Sequence, residues 1–202
     1  YYFEYYVGRK DLASIFMVSG TVAVLLGVLP TKFLSRKLGK RNLFIIVLAL
    51  IVGSLIVNYF ASPENLALIF ATQIVFSLAS GPTMPLLWAM LADTADYSEW
   101  KNGRRATGLV YSAATMAQKT GVAIGAALMV GIIGQYGYIA NVEQTPESLT
   151  GIRLTMTIVP AVIAFIGLLL LFFYNLNEDK LREIERDLKL RREKTATHAT
   201  AV

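Results

Sequence analysis

Apolar residues run along this 202-residue chain in five long stretches, not in the alternating pattern of half-buried strands. The stretches cover residues 12–29, 43–60, 66–91, 107–133 and 152–174, and more polar segments separate them. A helix crosses the hydrocarbon core of a bilayer, about 30 Å, in about 20 residues. Because backbone groups in lipid must be satisfied within the segment, the pattern predicts an all-α, polytopic membrane protein with five full spans.

Composition supports a membrane protein, since 55% of the residues are hydrophobic and only 16% are charged. The chain has no cysteine, which excludes disulfides and thiolate metal sites, and its one histidine, His198, is predicted to be solvated in a polar tail. No metal site is expected. Tyr1–Val7 is typical of the last turns of a sixth helix and lacks the features of a signal peptide. We therefore interpret the chain as part of a longer protein.

The distribution of positive charge predicts the orientation in the membrane. Fifteen of the 19 Lys and Arg residues follow the first span, the third span or the fifth span, which share one side, and three lie on the other side. The positive-inside rule makes the first side cytoplasmic. The net charge of +5 therefore reflects topology, and no nucleic-acid partner is expected. Residues 1–175 are predicted to form the helical bundle, and residues 176–202 a charged cytoplasmic tail.

The tail carries an apolar stripe at helical spacing, formed by Leu181, Ile184 and Leu188. Asn177, before two acidic residues, suits the start of a helix. Two interpretations remain open: a helix that lies on anionic lipid, or a solvated tail with some helix. We favour the solvated tail.

The third stretch contains polar residues and helix breakers. Gln73, Ser77, Ser80 and Thr83 recur at helical spacing, and Gly81, Pro82 and Pro85 lie among or beyond them. Proline lacks an N–H and clashes with the carbonyl four residues before it, so the helix should break here. The break is either a packing kink or, as in transporters, part of a cavity wall. Trp88, near the cytoplasmic end, is either an interface anchor or a binding residue.

The segment ADTADYSEWKNGRR, residues 92–105, places three carboxylates on roughly one helical face. They are Asp93, Asp96 and Glu99, and the bases Lys101, Arg104 and Arg105 follow closely. Carboxylates at a helix C-terminus need cations to offset the helix dipole. The spacing favours a cytoplasmic salt-bridge cluster that locks one conformation over a catalytic pair.

Lys119 is an ionisable residue inside the fourth stretch. If that helix begins near Thr107, Lys119 lies about 18 Å along it, close to the bilayer midplane. A lysine there costs about 2.5–3.5 kcal/mol and usually faces a cavity or a partner. Gly121 and Gly125 beside it form a small-xxx-small pair that permits close helix approach. No carboxylate of the chain is predicted at this depth. The partner must therefore be a group outside this chain, a substrate or an ion, and a structural ion pair remains the alternative.

The stretches ADTADYSEWKNGRRATG, YSAATMAQKTGVAIGAA and GYIANVEQTPESLTGIR, followed by a charged tail, resemble one family over nearly the whole chain. The family is that of the glycoside–pentoside–hexuronide:cation symporters, the melibiose-permease family of the major facilitator superfamily. The resemblance is to its C-terminal six-helix bundle, here five full spans and the end of a sixth. The details are closer to the xyloside and glucuronide branch.

The resemblance implies uptake of a sugar or glycoside with Na⁺ or H⁺ by alternating access in a bacterial inner membrane, with no other cofactor. Lys119 matches a mid-membrane lysine beside a cation site whose carboxylates belong to the N-terminal half, absent from this chain. Thr115 matches a position near the sugar, and Asp93 and Asp96 match acids at the cytoplasmic gate. Further candidates are Gln118, Trp88 and Gln73 for the substrate, and Glu99, Arg104 and Arg105 for the gate.

The loop LPTKFLSRKLGKRN resembles the superfamily's intracellular loop only loosely. Arg36 stands where an acid is usual, so no gate ion pair is expected from this loop. Two other functions remain as alternatives: an exporter of another small solute, and a membrane-bound enzyme or scaffold. The enzyme is disfavoured because the spans hold no His, Cys or carboxylate dyad.

The topology can be tested with single cysteines in this cysteine-free background, placed in the complete protein. Cysteines at Ser35 and Asn102 should resist an impermeant thiol reagent in intact cells, while those at Asn65 and Asn141 should react, because the first pair is predicted to be cytoplasmic. Labelling of residue 35 or 102 from outside would contradict the orientation.

Overall fold

The computed structural model describes residues 1–200, with side chains described for residues 1–193, so the prediction for His198 lies outside the described side chains. Within residues 1–200, a π-helical turn, Tyr2–Tyr6, and a 3₁₀ turn, Lys10–Leu12, precede nine α-helices. The α-helices are α1 (Ala13–Val28), α2 (Thr31–Leu38), α3 (Lys40–Tyr59), α4 (Leu66–Ser80), α5 (Thr83–Asn102), α6 (Thr107–Gln135), α7 (Pro146–Met156), α8 (Ile158–Leu171) and α9 (Glu178–Thr200).

Five helical segments are long and apolar enough to cross a membrane, which confirms the all-α prediction for the described residues. They are Lys10–Val28, Lys40–Tyr59, Leu66–Asn102, Thr107–Gln135 and Pro146–Leu171. The third is longer than predicted because the residues assigned to a loop continue α5 as far as Asn102. Gly103 ends α5 in the left-handed conformation, with φ 68°, which a glycine adopts without steric cost.

The closest packing in the bundle joins α1 to α4, α3 to α4, and α3 to α8. One face of α3 supplies much of the core. Leu43, Val47, Ile51 and Leu55 recur every four residues and are buried against Ala79, Leu86 and Ala161. This spacing places the four side chains on one side of the helix. The opposite faces of the outer helices remain open, as expected for a surface in contact with lipid.

Glycines allow α1 and α4 to touch backbone to backbone. A Cβ on Gly27 would lie 2.1 Å from the carbonyl oxygen of Leu78, and one on Gly81 would lie 2.5 Å from that of Val24. On α6, none of the described residues lies within 4 Å of a Cβ built on Gly121 or Gly125, so the close approach that this pair permits stays a prediction. Close helix approach therefore occurs at α1–α4.

The N-terminal turn is fastened to the ends of α3 and α7. The Tyr2 hydroxyl donates to Asn58 Oδ1 at 3.3 Å, and the Tyr6 hydroxyl donates to the carbonyl of Ala61 at 2.9 Å. The Arg153 guanidinium lies between the rings of Tyr6 and Tyr59, 4.9 and 4.8 Å from their centroids. Cation–π contacts of this kind stabilise a desolvated guanidinium.

The tail prediction was wrong about its apolar face. Leu181, Ile184 and Leu188 are buried, Ile184 completely, and α9 packs against the end of α5 instead of lying free or on lipid. The predicted start is confirmed, since Asn177 Oδ1 accepts from the backbone N–H of Lys180 at 3.0 Å. An amphipathic stripe shows that a surface is covered but does not identify the covering surface.

The α1–α4 contact predicts an asymmetric response to two glycine substitutions. Gly27→Ala should lower the free energy of unfolding of the complete protein by about 1–3 kcal/mol, because the methyl group would overlap backbone atoms of α4. The melting temperature should fall accordingly. Gly53→Ala is the control, since nothing lies within 4 Å of its Cβ position. It should be neutral or slightly stabilising. Equal melting temperatures for the two variants would contradict the contact.

Candidate functional site

An open groove runs along one face of α6. Its lining consists of Tyr111, Ser112, Thr115, Met116, Lys119 and Thr120. Lys119 is exposed there and takes part in none of the ion pairs formed among residues 1–193. The structure thus places Lys119 and Thr115 in one groove, and it supplies no carboxylate to the lysine from the described residues. The ammonium is available to a group outside them.

The hydroxyl groups of the groove are oriented by their own helix. Thr115 Oγ1 donates to the carbonyl of Tyr111 at 2.8 Å, and Ser112 Oγ donates to that of Leu109 at 3.1 Å. Because each proton is used within α6, each oxygen presents its remaining lone pairs to a ligand. Gln118 is exposed on the same helix but does not line the groove.

Two contacts near its ends hold α6 in the bundle. Near the N-terminal end of α6, the Tyr111 ring stacks on the Trp88 ring of α5, with centroids 5.6 Å apart and planes 13° apart. At the other end, the Tyr136 carbonyl accepts from Ser148 Oγ at 2.8 Å. A Cβ on Gly151 would lie 2.6 Å from that of Tyr136. Trp88 therefore supports the groove from behind Tyr111, and the helix between the contacts is largely exposed.

Gln73, another predicted substrate residue, lies elsewhere. It lines a small cavity with residues of α3, α7 and α8, and its amide nitrogen lies 2.7 Å from the position that a Cβ on Gly20 would take. The structure does not bring Gln73 to the groove that holds Lys119.

In the second half of α5, Asp93 forms an ion pair that the sequence did not predict. Lys40 Nζ donates to both carboxylate oxygens of Asp93, at 2.7 and 2.6 Å. The side chains of Lys40 and Asp93 are 28% and 11% exposed, so the pair is largely shielded from solvent. The segment LPTKFLSRKLGKRN, from which no gate ion pair was expected, supplies this pair through Lys40, the first residue of α3. Arg36 of the same segment takes part in none of the ion pairs among residues 1–193.

The other two carboxylates of α5 pair as a second group. Asp96 accepts from Arg105 at 2.8 Å, and Glu99 lies 3.8 Å from Arg105 and 2.8 Å from Arg192 of α9. The predicted salt-bridge cluster therefore includes Arg105 but also draws on the tail. Arg104 contributes its backbone carbonyl, which accepts from Ser98 Oγ at 3.2 Å.

Trp100 is the main attachment point of α9. Its indole N–H donates to Asp187 Oδ2 at 3.1 Å, and its carbonyl accepts from Arg191 at 3.0 Å. Lys180 Nζ lies 4.2 Å from the centroid of its ring system. At the start of α9, Glu178 accepts from the backbone N–H of Lys40 at 3.2 Å. The tail thus contacts both the end of α5 and the start of α3.

The pairing of these charges predicts a selective loss of stability. Lys40→Met leaves the Asp93 carboxylate shielded and unpaired, which should cost on the order of 2–3 kcal/mol. Lys37→Met, on an exposed residue of α2, should have little effect. The measurement is the melting temperature of the purified complete protein. Equal values for the two variants would show that Lys40 and Asp93 do not interact in solution.

Comparison with known proteins identifies the family. The model of the MFS/sugar transport protein family matches residues 1–178. A glucuronide carrier protein homolog of Escherichia coli K12 is 35% identical over 148 residues, 73% of this chain and 32% of the relative. The isoprimeverose transporter of Lactiplantibacillus pentosus is 35% identical over 179 residues, 88% of this chain and 37% of the relative.

A third relative, the uncharacterized symporter YnaJ of Bacillus subtilis, is 32% identical over 192 residues, 95% of this chain and 41% of the relative. The chain therefore spans about two fifths of the length of such relatives. These relatives are transporters and not enzymes. The protein is a multi-pass membrane protein that belongs to the MFS/sugar transport family.

Proposed function

We propose that this chain is the C-terminal half of a symporter that imports a sugar or glycoside together with Na⁺ or H⁺. The observation that carries the proposal is the exposed Lys119 beside Thr115 in one groove on a membrane-spanning helix. A lysine without a partner in hydrocarbon is costly, so this face requires polar groups from outside the described residues. Names of similar proteins, which include a glucuronide carrier homolog and an isoprimeverose transporter, support a glycoside as the substrate.

The groove offers the chemistry that a sugar needs. Thr115 and Ser112 present oxygen acceptors, and Lys119 supplies a donor. Gln118, exposed on the same helix outside the groove, is proposed to reach a sugar that extends beyond it. Trp88, stacked behind Tyr111, fixes the wall from which these groups project. Sugars have several hydroxyl groups at fixed angles, and a wall with few rotatable parts can distinguish them.

Coupling to a cation follows from the charge of Lys119. Carboxylates of the facing half would bind the ammonium when the cation is absent, and Na⁺ or H⁺ would compete with it for them. Cation binding releases the ammonium from its ion pair and changes the groove in which the sugar binds. An ammonium is a compact, strongly hydrated charge, which suits exchange between such partners.

The ion pairs of Asp93, Asp96 and Glu99 are proposed as the gate on the cytoplasmic side. They join the start of α3, α5, the α5–α6 loop and the tail, and they must separate if these elements move apart. In this arrangement the tail faces the cytoplasm of a bacterium, and the inner membrane holds the complete carrier. Trp88 and Asp93 belong to the same helix, so movement of α5 would reach both the groove and the gate.

The proposal predicts distinct effects of two groove substitutions in the complete carrier. Lys119→Ala should abolish uphill accumulation of sugar while expression is retained. Lys119→Arg should restore little of this accumulation, because the planar guanidinium of arginine cannot replace a compact ammonium. Thr115→Val should weaken sugar affinity with a smaller effect on coupling, because it removes a hydroxyl and no charge. Lys32→Ala, at the cytoplasmic edge, is the control for charge loss.

The measurement is sugar accumulation in membrane vesicles under an imposed Na⁺ or H⁺ gradient, compared with sugar binding without a gradient. If Lys119→Ala accumulates sugar to the level of the unchanged carrier, then Lys119 is only a member of a structural ion pair. Net movement of solute outward under the same inward gradient would instead favour the exporter.

A further inference from the structure

A small cavity lies between α3, α4 and the break that separates α7 from α8. Its volume is about 130 Å³, and its lining includes Ser54, Asn58, Gln73, Met156 and Pro160. Asn58 and Ser54 are buried, with 6% and 7% of their surface exposed. Amide and hydroxyl groups therefore converge on a space that lies within the membrane-spanning part of the bundle.

The amide nitrogens at this cavity make no hydrogen bond within the described part of the protein. Asn58 Oδ1 accepts from the Tyr2 hydroxyl, but none of the hydrogen bonds among residues 1–193 uses the Asn58 amide nitrogen. The half-buried Gln73 likewise makes no side-chain hydrogen bond within that range. Neither amide nitrogen is sealed inside protein, since the fully buried polar atom without a partner among the described residues is the Tyr174 hydroxyl. An amide donor shielded from bulk solvent needs a partner. The cavity is the place from which a partner could reach them.

The helix break leaves an acceptor on a residue that lines the same cavity. Pro160 has no N–H, so the donor that would reach the Met156 carbonyl in a continuous helix is missing. Thr157, between α7 and α8, adopts φ −127° and ψ −70°, which departs from helical geometry. Its N–H and hydroxyl both turn back to Arg153, at 3.0 and 2.6 Å. Broken helices persist at membrane depth where they are buried in protein or line a cavity that holds water.

We propose that this cavity is a water-binding site, in which bound water accepts from the Asn58 amide and donates to the Met156 carbonyl that Pro160 leaves free. The space suffices, because a water needs about 10–15 Å³ of such volume and two to four polar partners. The bound water supplies the hydrogen bonds that are missing at the break between α7 and α8. Because this water is not fixed to the protein, α8 can change its angle to α7. Gln73 belongs to this site and not to the substrate groove.

Two measurements on the complete carrier test the site. The first is a structure at a resolution that shows ordered water, with density expected within hydrogen-bond distance of Asn58 Nδ2 and of the Met156 carbonyl oxygen. The second is a double-mutant cycle of melting temperatures with Asn58→Leu and Pro160→Ala. Because Pro160→Ala restores the missing N–H, the fall in melting temperature caused by Asn58→Leu should be about twofold smaller in the Pro160→Ala background.

Matched variants separate the site from simpler effects. Tyr2→Phe measures the loss of the Tyr2–Asn58 hydrogen bond alone, and this loss is subtracted from that of Asn58→Leu. Pro85→Ala, at the break between α4 and α5, should combine additively with Asn58→Leu. The site is supported if water density is seen in the cavity and if Asn58→Leu is coupled in melting temperature to Pro160→Ala but not to Pro85→Ala. A dry cavity, a direct bond from Gln73 to Asn58, or additivity with Pro160→Ala would overturn it.

Discussion

An ammonium group in a membrane-spanning helix requires a countercharge or water, and this requirement governs the groove on α6. The described residues give Lys119 neither an ion pair nor a covering helix. The α6 helix instead makes contacts near its two ends, through Tyr111 and Tyr136, and leaves the central face open. A helix held in this way presents Lys119 and Thr115 at a fixed angle to whatever faces them.

Helix α5 connects this groove to the end of the bundle at which α9 packs. It carries Trp88 against Tyr111 and, little more than one turn further on, Asp93 against Lys40. Its end is bound in turn to α9 through Trp100 and Asp187. Shielded charge pairs contribute little net stability but are costly to break singly, which makes them suited to holding one of two arrangements. Displacement of α5 therefore acts on the groove and the ion pairs together.

The helices could be predicted because lipid demands long apolar segments and internal hydrogen bonds, and those demands are local in sequence. Lys119 stood out for the same reason, as a charge where lipid tolerates few. Pairings between distant residues could not be predicted in this way. Lys40 is one of many basic residues between and after the spans, and nothing local marks it as the partner of Asp93. The apolar stripe around Ile184 suggested lipid or solvent, whereas α5 covers it. Nothing local marked Gly27 and Gly81 as the glycines at which α1 and α4 touch.

The central claim is that the Lys119 ammonium links cation binding to sugar binding. The most direct test is the equilibrium dissociation constant of the sugar, measured by calorimetry on the complete carrier at saturating and at negligible coupling cation. The ratio of the two constants is the coupling between the sites, and it is expected to differ from one by about fivefold or more in the unchanged carrier. In Lys119→Ala the ratio should fall to one, with sugar binding still measurable. An unchanged ratio in that variant would contradict the account.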